Sequence, residues 1–175
     1  KESLAVAGKF LIEIAKDNGG EIRPLDSEAS AIWQLLNDYK EDVSSITLTC
    51  SGGPFFGKKK QDLGSATINE ALKHPTWKMG PKVSLDSATL VNKVLEVFEI
   101  KNLFNLDISK INIVIHRQSV VHSMVHTKTG ATKMKISQND MRLPIFYALN
   151  WPEIKQYPWP PLRIRKSELN FAPAD

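Results

Sequence analysis

Apolar residues at Leu4, Val6, Ala7, Phe10, Leu11, Ile14 and Ala15 recur at helical spacing, and Asn18-Gly19-Gly20 stops the pattern, so the first seventeen residues read as a helix. Ile22 to Leu25 is a short extended run, and Ala29 to Leu36 resumes with good helix formers on an apolar face. The stretch Ser45 to Cys50 alternates with β-branched residues as a strand does, until Ser51-Gly52-Gly53-Pro54 breaks it. Phe55 to Leu63 is polar and basic and reads as an exposed loop; Thr67 to Leu72 reads as a short helix. The next segment, from His74 to Pro81, holds two prolines and a glycine and is expected to be irregular, although it carries Trp77 and Met79. Asp86-Ser87 predicts the cap of a long helix over Ala88 to Phe104.

Strands are expected at Ile111 to Ile115, Val120 to Val125 and Thr132 to Ile136, with a turn at Lys128-Thr129-Gly130, and Met141 to Leu149 reads as a helix. Trp151-Pro152 and Pro158-Trp159-Pro160-Pro161 exclude helix and central strand, so 151–175 reads as an extended linker with no closing element at its end. Together these elements predict an α+β fold in which strands near residues 46, 113, 122 and 134 form a roughly four-stranded sheet packed against helices.

Composition changes this picture little. The 175 residues carry 23 basic and 19 acidic side chains, a net charge of +4, which permits an anionic substrate without calling for nucleic acid. A single cysteine, Cys50, forms no intrachain disulfide and fits a reducing compartment. No window approaches eighteen apolar residues, so no membrane partner is expected. The start at Lys1-Glu2-Ser3, without a methionine, reads as a piece of a longer protein.

Three stretches carry candidate chemistry. Asp26 and Glu28 flank Ser27, and like charges that close are costly unless a cation sits between them. On extended backbone, side chains two apart point the same way, so this pair is expected to converge on one hard cation. On the helix after Ser87, Asn92 and Glu96 share a face, and Glu96 is a candidate third oxygen ligand. Carboxylates without paired Cys or His suit Mg²⁺ or Mn²⁺ and not zinc. The third stretch is the glycine turn at Ser51, whose backbone and hydroxyl suit an anion; the N-terminus of the helix after Ser87, Asn92, Lys93 and His74 are further donors. Taken singly, each has an ordinary rival: a solvated turn, a polar helix face, a loop anchor.

In combination the residues become recognisable. Lys1-Glu2, Asp26-Ser27-Glu28, Ser51-Gly52-Gly53-Pro54-Phe55, His74-Pro75-x-Trp77-x-Met79-Gly80, Asp86-Ser87-Ala88-Thr89-x-x-Asn92-Lys93-x-x-Glu96 and Asp140-Met141-Arg142 occur in this order. The chain closely resembles the 1-deoxy-D-xylulose 5-phosphate reductoisomerase family. The resemblance implies three domains: an NADPH-binding Rossmann domain, a catalytic domain that forms a homodimer, and a C-terminal helical domain. Residues 1–22 would be the last helix of the first, 23–150 the second, and 151–175 the linker toward the third. The glycine-rich dinucleotide fingerprint is not among these residues, so the piece alone is expected to be inactive and to bind NADPH poorly.

The resemblance places metal ligands on Asp26, Glu28 and Glu96, and phosphate contacts on Ser51, Ser87, Asn92 and Lys93, with His74 helping from a mobile loop. Lys1 and Ser27 match positions that hold the substrate's backbone oxygens, Trp77 belongs to a flap over the substrate, and Glu2 and Gly80 match cofactor contacts. The implied reaction converts 1-deoxy-D-xylulose 5-phosphate to 2-C-methyl-D-erythritol 4-phosphate in the non-mevalonate isoprenoid pathway, by metal-assisted skeletal rearrangement and NADPH reduction. A cytoplasmic or plastid-stroma location follows from that role. Ala29, Cys50, Val94, Arg117 and Asn139 depart from the family's usual residues, and none is a metal ligand. Two alternatives remain: a Mg²⁺-dependent phosphosugar lyase or phosphohydrolase using the same carboxylates, and a non-catalytic dimerisation module.

Overall fold

The structure, a computed structural model, describes residues 1–38, 43–163 and 169–174. The apolar stripe of the first segment forms α1 (Glu2–Asp17), but not as one straight helix. Ala7 leaves the helical region (φ −130°, ψ 23°), and Asn102 Nδ2 donates to the carbonyl of Leu4 at 2.8 Å. Gly8 lets that side chain in, since a Cβ there would lie 2.7 Å from Asn102 Cβ. The second helix, α2 (Ser27–Asp38), starts two residues before the expected Ala29. Residues 20–26 contain no strand, so the acidic pair does not sit where a strand meets a helix.

Among the described residues the sheet holds five strands rather than four: β1 (Val43–Cys50), β2 (Ile111–Ile115), β3 (Val121–Thr127), β4 (Thr132–Ile136) and β5 (Ala172–Pro173), in the order β4-β3-β1-β2-β5. β1 runs parallel to β2 and antiparallel to β3, while β4 and β5 are antiparallel edges. The fold is α+β, as the pattern predicts. The fifth strand corrects the expectation of an end without a closing element: it pairs with β2 beside Phe171, whose ring stacks on buried His116 with centroids 4.8 Å apart. Two residues of strand carry no periodicity to read.

Between β1 and β2 the chain makes one long crossover, containing a 3₁₀ segment at Lys60–Ser65, α3 (Ile68–Ala71), α4 (Pro81–Ala88) and α5 (Val91–Leu103). The single helix expected over 88–104 is thus two. Pro81 occupies the first position of α4, where its missing N–H costs nothing, and Gly80 precedes it. Asp86 and Ser87 therefore lie in the last turn of α4 and do not cap α5. The break falls at Leu90, held in the left-handed region (φ 61°). Leu90 offered no sequence signal, because only glycine or asparagine adopts that conformation cheaply.

The core lies between the sheet and the helices α2 and α5: Ala29, Ile32, Leu35, Ile46, Leu48, Val97, Ile100 and Val125 form one buried cluster. α6 (Arg142–Asn150) packs its Tyr147 edge-on to Trp33, and Trp151 joins them across a cis peptide to Pro152. The segment read as a linker lies on the domain as far as it is described. Phe146, Tyr157 and Trp159 meet edge to face, and Arg142 covers the Trp159 ring at 4.5 Å. Residues 164–168 and 175 of that segment lie outside the described residues. Among the described residues no helix is long and apolar enough to cross a membrane.

Ile100 is wholly buried in this cluster on the helix that also carries Glu96. Ile100→Ala is expected to cost about 2–5 kcal/mol, seen as a lower urea midpoint with an unchanged slope.

Candidate active site

Three elements bring the acidic residues together. Asp26 caps α2: its Oδ1 accepts the backbone N–H of Glu28 at 3.2 Å and of Ala29 at 3.5 Å. The pair therefore converges not through extended backbone but because Asp26 is the cap and Glu28 stands in the first helical turn. Ser123 Oγ donates to the carbonyl of Glu28 at 3.1 Å, which ties this turn to β3. Glu96 comes from the buried face of α5. Each of Asp26, Glu28 and Glu96 offers a carboxylate oxygen within 4.8 Å of the others.

Such a cluster needs positive charge, and two lysines supply it. Lys93 Nζ lies 2.9 Å from Glu28 Oε1 and pairs with Glu96 Oε2. Lys1 Nζ lies 3.0 Å from Asp26 Oδ2, 3.4 Å from Glu96 Oε1 and 2.6 Å from the Asn92 side-chain carbonyl. Lys93 and Asn92, expected as anion donors, are thus turned into the carboxylate cluster. Two ammonium groups face three carboxyl groups whose oxygens converge, the all-oxygen donor set that a hard divalent cation requires. By the same donor set the residues fit Mg²⁺ or Mn²⁺.

Burial above all, then the charges of Asp26 and Glu28, pushes the Glu96 carboxyl up to about 8. Glu99, one turn on, is pushed up to about 7 by burial and Asp26. Glu28 moves the other way, to about 2, because the Lys93 charge and the Ser27 hydroxyl outweigh its burial.

The cluster forms one end of a cavity of about 310 Å³. Ser27, Ser51, His74, Trp77 and Ser87 line the same cavity, so the structure unites all the residues predicted for metal and substrate. Gly53 makes this possible: its backbone is left-handed (φ 68°), and a Cβ would lie 2.8 Å from the carbonyl of Ser87. The Ser51 turn and the end of α4 therefore touch through backbone. Glu2 and Gly80, expected at the cofactor, do not line the cavity: Glu2 is exposed and its Oε1 accepts from Lys82 Nζ at 3.0 Å, and Gly80 sits at the start of α4.

Ser119, His122 and Met141 also line the wall without having been singled out as site residues. His122 is buried, and that burial holds its imidazole below the ordinary value. Its place in an alternating strand was legible, but not which face meets the cavity.

The match to other proteins follows the same residues. Residues 22–104 match the family model described as "1-deoxy-D-xylulose 5-phosphate reductoisomerase C-terminal domain". The 1-deoxy-D-xylulose 5-phosphate reductoisomerase of Clostridium acetobutylicum is 48% identical across 97% of this chain, and that of Clostridium botulinum strain Hall 49% across 100%. The chain belongs to the 1-deoxy-D-xylulose 5-phosphate reductoisomerase family. It spans 46% of the length of both relatives. A crystal structure of a DOX-P reductoisomerase with NADPH, fosmidomycin and magnesium superposes with a TM-score of 0.91 at 38% identity, covering 99% of this chain and 46% of that one. The reductoisomerase from Zymomonas mobilis in complex with NADPH gives 0.87 at 37% identity, covering 99% and 45%. The reductoisomerase family thus accounts for the sheet, the helices and the order of the motifs.

The raised carboxyls of Asp26, Glu96 and Glu99 and the lowered one of Glu28 together set the pH dependence of stability without divalent ions. A raised carboxyl pKa means that the folded chain keeps a proton that the unfolded chain has lost. The contribution of Glu96 is therefore full below about pH 4.5 and falls away as pH rises to about 8. Glu28 acts oppositely, its contribution being lost as pH falls from about 4.5 to about 2. Urea unfolding in chelator is expected to show stability falling with pH above about 5, by up to ~1.4 kcal/mol per unit per group, and Glu96→Gln should lessen that slope while Glu99 keeps its share.

Proposed function

We propose that this chain forms the metal- and phosphosugar-binding part of an enzyme converting 1-deoxy-D-xylulose 5-phosphate to 2-C-methyl-D-erythritol 4-phosphate, with NADPH as reductant. The observation that carries the reading is three carboxylate oxygens within 4.8 Å, at one end of a cavity that also holds Ser51, His74 and Ser87. Reductoisomerase structures support it: one with NADPH, fosmidomycin and magnesium, one with NADPH and one with magnesium. Asp26, Glu28 and Glu96 would hold Mg²⁺ or Mn²⁺, which when bound supplies Lewis acidity toward the substrate's ketone and adjacent hydroxyl.

The chain's own groups do the rest. With the carboxylates otherwise neutralised, Lys1 and Lys93 are released from pairing and their ammonium groups can turn to substrate oxygens. Burial opposes their charge but the carboxylates outweigh it, so both lysines hold their protons more firmly than usual and act as donors, not bases. Ser27, beside the carboxylates, positions a substrate hydroxyl. Ser51, Ser87 and His74 bind the phosphate, and Trp77 closes over it and excludes water. Phosphate binding, remote from the reacting carbons, thereby orders the site in which they react. Glu2 and Gly80, outside the cavity wall, are assigned to the cofactor's side of the site.

We assign the domain roles in the same way: 1–22 as the end of the nucleotide-binding part, 23–150 as catalytic, and 151–175 as the passage toward a further domain. A homodimer would form through the sheet, where β4 is an edge strand.

Mn²⁺ titration by calorimetry is expected to show binding that Asp26→Asn weakens by at least about tenfold with far-ultraviolet dichroism unchanged. It should strengthen from pH 5 to 8 as the carboxylates ionise. In the protein with its nucleotide-binding part, NADPH oxidation is expected only with the phosphosugar and a divalent ion. Release of inorganic phosphate without NADPH consumption would replace this reading by a phosphohydrolase.

A further inference from the structure

The turn between β2 and β3 grips both walls of the anion end of the cavity. His116 N–H donates to Cys50 O at 2.7 Å, continuing the parallel pairing, and Ser119, left-handed at φ 54°, donates its N–H back to His116 O at 3.0 Å. From this turn Arg117 sends one nitrogen, Nη1, to two carbonyls: Ser51 O at 2.7 Å and Gly53 O at 2.6 Å. Its guanidinium lies 5.4 Å from the centroid of Phe56, on the far side of the same glycine turn. At the other end, Ser119 Oγ accepts from Thr76 Oγ1 at 3.2 Å, within the segment that carries Trp77.

His74 joins the two walls. Its Nδ1 accepts two backbone N–H groups, Thr76 at 3.2 Å and Trp77 at 3.0 Å, so that nitrogen carries no proton. The ring's proton is then on Nε2, which donates to Ser51 Oγ at 2.8 Å. Ser51 Oγ also accepts from Gly53 N–H at 3.1 Å, so both its acceptor sites are used and its hydrogen is left to donate into the cavity. The hydroxyl is thereby oriented as a donor, the polarity an oxyanion needs.

We propose that Arg117 is a positioning residue for an oxyanion subsite: it fixes the Ser51–Gly53 turn and, through Ser51 and His74, the flap that covers it. The proposal rests on the phosphosugar reading of this cavity. It assigns Arg117 no contact with substrate. Its carbonyl bonds are charge-assisted, and Gly53 is buried where they land. Two charges face His74: Arg117 from the β2–β3 turn, and Glu28 from α2. Burial first, then Arg117, holds the imidazole below its ordinary value, and Glu28 opposes them. Arg117 is exposed, so its charge acts on His74 only through screening solvent, while its two hydrogen bonds hold the Ser51–Gly53 turn. A second proton on Nδ1 would take away the acceptor of both flap N–H groups.

The test compares Arg117→Met and Arg117→Lys with the parent chain in three measurements: the His74 tautomer and pKa by ring NMR, amide exchange at Thr76 and Trp77, and titration with inorganic phosphate. Arg117→Met is expected to raise the His74 pKa, speed both amides about tenfold and weaken phosphate about tenfold. Arg117→Lys keeps the charge but not the two-carbonyl grip, so it should keep the low His74 pKa and still loosen the flap amides; this variant decides if the methionine variant does not fold. Variants that bind phosphate as the parent does, with the same tautomer and amide exchange, overturn the role of Arg117. A parent chain that binds no phosphate overturns the phosphosugar reading instead.

Discussion

Three carboxyl groups crowd together at a largely buried spot, and the placing of everything around them answers to that crowding. Unbalanced, their repulsion and lost hydration would cost several kcal/mol each. The fold meets this with Lys1 and Lys93, carried on two helices that pack side by side. Because the crowded carboxyl groups still disfavour one another's ionisation, the arrangement stays receptive to more positive charge. The same repulsion that limits stability is what a bound cation would relieve.

The balance depends on ordinary packing. Glu96 and Lys93 are where they are because Val97 and Ile100, on the same helix, are held in the core against Ile46 and Leu48. Lys1 is held by α1, whose kink at Ala7 lets Asn102 of α5 bond to Leu4. A site built this way inherits its precision from the core, not from the loop residues that line it.

Most of the fold was legible because it is periodic. The strands at 111–115 and 132–136 and the helices around 30 and 145 follow from alternation and helical spacing. What escaped was held by tertiary contacts. A break at Leu90 needs a conformation its side chain disfavours, so no local signal announces it, and Asp86-Ser87 looked like a cap when it closes the preceding helix. The two-residue strand at Ala172–Pro173 is too short to have a pattern. The site residues were legible as types at characteristic spacings, and their order carried the family. Their partners were not: nothing in the sequence says that Lys93 turns toward Glu28, or that the acidic pair meets through a helix cap.

The crossover between β1 and β2 holds one more meaning. Ser51, His74, Trp77, Ser87, Asn92, Lys93 and Glu96 all belong to this single excursion between two neighbouring parallel strands. Its two ends are fixed by the ladder from Ile46–Ile111 to Cys50–Ile115, whatever lies between them. Insertions or deletions between Phe55 and Leu72 would therefore leave strand register undisturbed, so the exposed part of the excursion is free to vary in length while the platform beneath it stays constant.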